Sequence, residues 1–206
     1  MRPIQTLVAV VGLLGAGLSF SQNRLPTIAP STYSAEQKQA AAEFEAARKV
    51  PVFGPFEPLF YSPQLMNQAR SMGDYLRYKS AIGTTLSELV ILVTAREWTQ
   101  DYEWYVHHPL ALKAGIRKEI ADAIADGRRP QGMSDDEEIV YDFSIELQRN
   151  KRVSDAIFAR AEKRFGKQGI VDMTGISGYY TLLAMELNVA QYDIPKDGKK
   201  LERFPK

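Results

Sequence analysis

The chain has 206 residues, 45% of them apolar, with 26 Lys and Arg against 25 Asp and Glu, two His and no Cys. A near-neutral balance without a basic cluster provides no surface for nucleic acid and nothing to hold a mature protein to a membrane. The lack of cysteine excludes disulfide staples and every thiol-based redox mechanism.

In chain order, Arg2 precedes the apolar run Leu7 to Leu18, which ends in Ser19-Phe20-Ser21. A short positive region, an apolar stretch too short to span a bilayer and a small-x-small end describe a secretory signal peptide over residues 1–21. The alternative, a membrane anchor, lacks both length and flanking charge. Cleavage is expected after Ser21, with a periplasmic or secreted mature protein. The mature chain amounts to one domain, long enough to bury a core.

Residues 22–33, with Pro26 and Pro30, read as an extended leader. Ser34-Ala35-Glu36-Gln37 fits a capping box, and the alanine-rich run to Lys49 is strongly helix-forming. The prolines between Pro51 and Pro58 predict a loop whose Phe53, Phe56, Phe60 and Tyr61 plug the edge of the core, a lid or subunit contact being the alternative. Ser62-Pro63 opens a helix toward Tyr78. Thr85-Leu86-Ser87-Glu88 has the capping-box pattern and starts a helix through Leu89-Val90-Ile91-Leu92-Val93 toward Thr99. Periodicity alone would also allow a buried strand there, but no partner strand is in reach.

Asp101 begins the next helix, which Gly115 ends, and Pro109 removes the donor that would meet the carbonyl of Tyr105. A short helix from Arg117 to Asp126 precedes a Gly127 to Gly132 turn. Ser134-Asp135-Asp136-Glu137 is another capping box, leading a helix to Asn150. Ser154 is expected to cap a helix to Phe165, and a last helix runs from about Lys167 to Val189. The helical domain is thus residues 34–192, followed by a polar tail, 193–206, expected to fray. The chain is predicted to be all-α, a compact bundle of about seven or eight helices.

Chemistry concentrates between Glu88 and His107. Glu103 and His107 are four apart, so they are neighbours on one helix face, and Leu110, Ala111 and Ala114 continue that face as an apolar stripe. A buried carboxylate beside an imidazole shares a proton near neutral pH. Two plainer readings stand beside this one. A Glu-x-x-x-His pair also serves as a helix-stabilising contact, and Glu88, third in its capping box, also serves as a cap for Thr85. His108, about 100° round the helix, points to solvent or a subunit interface. Metal ligation by Glu103 and His107 would lack a third histidine or a cysteine at zinc spacing. No cofactor is expected.

Ser87-Glu88-Leu89, Asp101-Tyr102-Glu103-Trp104, His107, Pro109-Leu110-Ala111, Ala114-Gly115-Ile116, the stretch Leu147 to Ser154 and Gly178-Tyr179-Tyr180 together resemble the carboxymuconolactone decarboxylase and alkylhydroperoxidase D-like family. The likeness spans roughly residues 62–192. In the peroxidase branch a Cys-x-x-Cys pair, a histidine and a glutamate on the preceding helix carry the redox reaction. Here Gln100 and Glu103 stand at the cysteine positions, His107 at the histidine and Glu88 at the glutamate, so peroxide reduction by that route is excluded. The resemblance implies the decarboxylase branch: a cofactor-independent lyase acting on a small carboxylated lactone or organic acid, with His107 as proton donor, Glu103 setting its orientation and Glu88 anchoring or relaying. Gln100, Trp104 and Arg96 are the substrate-contact candidates, and a homo-oligomer is implied. The alternative is a non-catalytic homo-oligomeric small-molecule binding protein of the same fold.

Overall fold

A computed structural model of the protein describes residues 23–204; the expected signal peptide lies outside the described residues. After a 3-10 turn at Pro30–Thr32 come α1 (Ala35–Arg48), α2 (Phe56–Leu59), α3 (Pro63–Tyr78), α4 (Gly83–Glu97), α5 (Asp101–Ala114), α6 (Lys118–Ala125), α7 (Asp135–Asn150) and α8 (Asp155–Ala190). Among the described residues there is no strand, and the all-α expectation holds.

The centre of the bundle is α4, which packs against α3, α5, α6, α7 and α8. Every residue from Ser87 to Arg96 is buried. A helix apolar on all sides has no solvent face to offer, which is why the β-branched run forms a central helix. Leu89, Val90, Ile91 and Leu92 have no exposed surface, and each contributes about 1.5–3 kcal/mol of burial.

The capping boxes at Ser34 and Ser134 form as expected, each with reciprocal bonds to Gln37 and Glu137. The third does not. α4 starts two residues before Thr85, with Ile82 in the cap position and Gly83 at φ 75°. Thr85 Oγ1 donates instead to the carbonyl of Ala114, and Ser87 Oγ to that of Gly83. The preceding turn is held by Asp172 on α8, whose carboxylate accepts from Ala81 N at 2.7 Å. Glu88 is therefore released from any capping role.

Four other expectations change. Pro58 lies inside the single-turn α2, because near a helix start a missing N–H loses no bond. Of the four aromatics expected to plug the core, Phe56 and Phe60 are buried, whereas Phe53 and Tyr61 are 42% and 48% exposed. Ser154 binds Glu146 rather than capping, while the expected break between the last two helices is present within α8, where Gly166 leaves helical geometry (φ 67°, ψ 179°). The tail is tied down over residues 201–203: Leu201 is buried and its N–H donates to Asp101 Oδ1, while Arg203 pairs with both Asp101 oxygens. Gly115, at φ 112°, ends α5 as expected, and Pro109 sits within a continuous helix.

Candidate active site

Four helices bring their polar residues to one place beneath the loop of residues 49–55. From α4 comes Glu88, from α5 Glu103 and His107, from α3 Arg77, and from α8 Tyr179 and Tyr180. His107 Nδ1 is 2.7 Å from Glu88 Oε2, and its Nε2 is 3.5 Å from Glu103 Oε2. All three side chains are at least nine-tenths buried. In the tautomer with its hydrogen on Nδ1, His107 donates to Glu88 and Nε2 is the nitrogen left for chemistry. Arg77 approaches the other Glu88 oxygen at 3.7 Å. The ring of Tyr180 meets His107 edge-on, centroids 5.0 Å apart at 85°.

Electrostatics separate the two carboxyl groups. Burial pushes Glu103 above the usual carboxylate range; His107 and Arg77 oppose this and Glu88 reinforces it. Its second oxygen, Oε1, is buried with no hydrogen-bond partner. Burial likewise drives the Tyr180 and Tyr179 phenols well up and holds that of Tyr102 at about 12, with the Glu103 charge adding to each, so all three rings stay neutral. Burial opposes the charge of Arg77, but Tyr180, Tyr78, Glu88 and Glu103 outweigh it and keep the guanidinium protonated. The two ring nitrogens of His107 face different carboxylates, and among the described residues no three His, Asp or Glu side chains are arranged to hold a metal ion.

A cavity of about 40 Å³ reaches this cluster, lined by Glu103, His107, Arg77, Arg48, Tyr179 and Tyr180 within and by Phe53, Pro55 and Phe56 toward the surface. It has room for about two or three water molecules. Gly54 packs its backbone against Tyr102 at the mouth; at φ 56° a Cβ there would lie 2.4 Å from the phenol oxygen.

The other sequence candidates fall elsewhere. Gln100 is buried as the N-cap of α5: Oε1 accepts from Tyr102 N and Glu103 N, and Nε2 donates to Asn188. It aims the first turn of α5 without lining the cavity. Trp104 is on the opposite side of α5, stacked on His108 with centroids 5.6 Å apart. His108 is half-buried there, in a hollow shared with Asp122 and the tail, and burial lowers its pKa. Arg96 is a structural residue: it donates to the carbonyls of Ala125 and Glu202 and to Thr99 Oγ1, and lies 4.4 Å from the Phe204 ring centroid. Sequence reasoning missed Arg77 and Arg48, which resemble any surface arginine of an amphipathic helix. Tyr179 and Tyr180 were visible only as part of the family likeness.

At the level of sequence, no family model and no curated protein matches the chain. Among solved structures, an uncharacterized peroxidase-related protein with an alkylhydroperoxidase AhpD core, from Ralstonia eutropha JMP134, superposes with a TM-score of 0.67 at 14% identity, covering 84% of this chain and 93% of that one. The fold is that of alkylhydroperoxidase D. An alkylhydroperoxidase D-like bundle at this identity fixes the path of the backbone; the chemistry rests on the side chains this chain places along it.

Proposed function

We propose that the protein is a cofactor-independent, proton-transferring enzyme, a decarboxylase-like lyase acting on a small carboxylated lactone or organic acid. The observation that carries this is the line Glu88–His107–Glu103, an imidazole fixed between an orienting carboxylate at 2.7 Å and a second carboxyl whose burial favours its protonated form. The resemblance gave the orienting role to Glu103; the 2.7 Å contact favours Glu88 for it, and the raised Glu103 fits a proton store. The alkylhydroperoxidase D-like fold agrees with the resemblance, and the chain has no thiol for the peroxidase route.

In such a lyase the bond from the ring carbon to the carboxylate breaks and its electron pair moves into the conjugated carbonyl, releasing carbon dioxide. The resulting enolate then takes a proton on carbon. Glu103 passes its proton to His107 Nε2, which delivers it to that carbon; water reprotonates Glu103 after product leaves, and Arg77 sets a positive charge near the developing anion. General acid catalysis of this kind contributes about 10²–10⁴-fold.

The test is turnover of a γ-carboxylactone, followed by carbon dioxide release. His107→Ala and Glu103→Gln are expected to lower it by about 100-fold or more while the protein stays folded. Unchanged turnover in both overturns the assignment. The small cavity favours a second reading, a binding protein that holds a small carboxylate without converting it; saturable binding with no product in the wild type supports that instead. Export and homo-oligomeric assembly belong to the proposal as well, resting on the N-terminal pattern and the family likeness. A mature protein beginning at Gln22 by mass spectrometry, and more than one protomer by light scattering, are the expected results.

A further inference from the structure

Among the described residues, eight buried side-chain polar atoms have no hydrogen-bond partner, and three of them, Arg48 Nε, Arg77 Nε and Glu103 Oε1, belong to residues on the wall of the same cavity. Buried polar groups are almost always satisfied, so three orphans around one small space mark a place built for something else. One terminal nitrogen of each guanidinium faces a carboxylate. Arg48 Nη2 binds Asp74 at 2.8 Å and its guanidinium lies over the Phe56 ring, and Arg77 Nη2 faces Glu88. Those contacts orient the two side chains and leave each Nε–H without a partner.

Two cationic donors call for an anion with two acceptor oxygens, since arginine favours planar oxyanions. A volume of about 40 Å³ encloses little more than the headgroup. Whatever carries that headgroup must extend along the apolar part of the lining, past the buried Pro55 and Phe56 to the exposed Phe53. Phosphate and sulfate would bring more charge and oxygens than the orphan donors can satisfy.

We infer that this cavity is a carboxylate-headgroup site in which Arg77, with Arg48, anchors a small organic monocarboxylate whose apolar body lies against Phe53, Pro55 and Phe56. The inference deepens the proposed reading of the same cavity and rests on it for the neighbouring Glu103–His107 pair. Arg77 is thereby a specificity-determining residue, and Arg96, the arginine singled out from sequence, is not.

The test uses sorbate, a flat conjugated monocarboxylate, and its neutral amide sorbamide, with binding to the full chain measured by titration calorimetry and by ligand-observed NMR. Sorbate is expected to bind saturably and sorbamide at least tenfold more weakly. Arg77→Gln is expected to weaken sorbate at least tenfold. Arg77→Lys, which keeps the charge beside Glu88 but has no Nε–H donor, should fall between, and guards against a glutamine variant that fails to fold. Arg117→Gln, on the surface away from the cavity, should bind like the wild type. No saturable sorbate binding, equal binding of acid and amide, or full affinity in folded Arg77→Gln overturns the inference. Sorbate binding that depends on Arg77, without lactone turnover, sinks the catalytic reading and leaves the anchor. Turnover indifferent to Arg77 does the reverse.

Discussion

Glu88 and His107, nineteen residues apart on neighbouring helices, meet at 2.7 Å inside the bundle, and the contact forms only because α4 begins at Gly83. Had Glu88 been a capping residue, its carboxylate would have turned back to Thr85. Instead it enters the interior with the imidazole on one oxygen and Arg77 near the other.

Replacing Glu88 separates the two tasks this geometry gives it. Glu88→Ala leaves Arg77 and His107 buried without their acceptor, and truncating one partner of such a cluster costs about 3–5 kcal/mol. Urea denaturation should show a loss of that size. Glu88→Gln keeps the shape and one acceptor, so it should fold with a smaller loss, while turnover of a γ-carboxylactone drops by about 10-fold or more as the imidazole loses its charged orienter. Equal stability loss in the two variants would show that the carboxylate acts by packing alone.

The pH dependence of stability has a definite sign. Burial raises Glu103, and burial alone raises Glu186 to about 8. A carboxyl whose folded value lies above its unfolded one binds more protons in the folded state, so its stabilisation is complete below the unfolded pKa and is lost as pH rises through the folded value. The wild type should therefore weaken between about pH 4.5 and 8, the window that Glu186 spans. Glu103 sits among His107, Arg77, Glu88, Tyr102, Tyr179 and Tyr180, of which His107 and Arg77 limit the effect. Glu103→Gln and Glu186→Gln should each flatten the slope of unfolding free energy against pH, and the double variant more so. A slope unchanged in the double variant would place the titration elsewhere.

The features legible in the sequence were local ones. The apolar run of α4, the boxes at Ser34 and Ser134 and the glycine after α5 each carry their own signal within a few residues, and the all-α bundle follows from them. Glu103 and His107 were legible as a pair because helix spacing alone makes them neighbours. The start of α4 was not, because Asp172, some ninety residues later, holds the turn before it and overrides a capping pattern that is locally sound. The cavity was illegible for the same reason. Arg77, Arg48 and Tyr180 reach it from three other helices, and Arg96 is removed from it by tail residues that read as loose polar sequence.

That tail gives a further prediction. Asp101, the first residue of α5, accepts from Leu201 N and Arg203, and Arg96 binds the carbonyl of Glu202 beside Phe204. The strap therefore secures the helix that carries Glu103 and His107. Deleting residues 199–206 uncovers Leu201's seat and leaves the buried Arg96 short of an acceptor, for an expected loss of about 2–4 kcal/mol. Asp101→Asn, which keeps an acceptor for Leu201 N and weakens an ion pair whose Arg203 side is exposed, should lose about 1 kcal/mol or less. Thermal melts and hydrogen exchange at Gln100 to Glu103 distinguish a strap from a passive tail, since only a strap speeds exchange there.

Gly73 tests how tightly α3 and α8 must approach. It is buried on α3, and a Cβ built on it would lie 2.4 Å from the Tyr179 hydroxyl and 2.7 Å from the adjoining ring carbon. In a helix interior alanine is the better helix former by about 1 kcal/mol, so an open site would make Gly73→Ala stabilising. Here the added methyl has to move a buried ring held against Tyr180 at 5.1 Å, and overpacking of this kind costs about 1–3 kcal/mol. Packing outweighs propensity, and the net effect should be a loss of up to about 2 kcal/mol. Because Tyr179 lines the cavity and Tyr180 touches His107, the same change should alter lactone turnover, whereas Gly178→Ala, at an exposed helical position with open space around it, should stabilise without touching activity. Gly73→Ala matching Gly178→Ala in both stability and turnover would show that the ring yields freely and that α3 does not set the position of Tyr179.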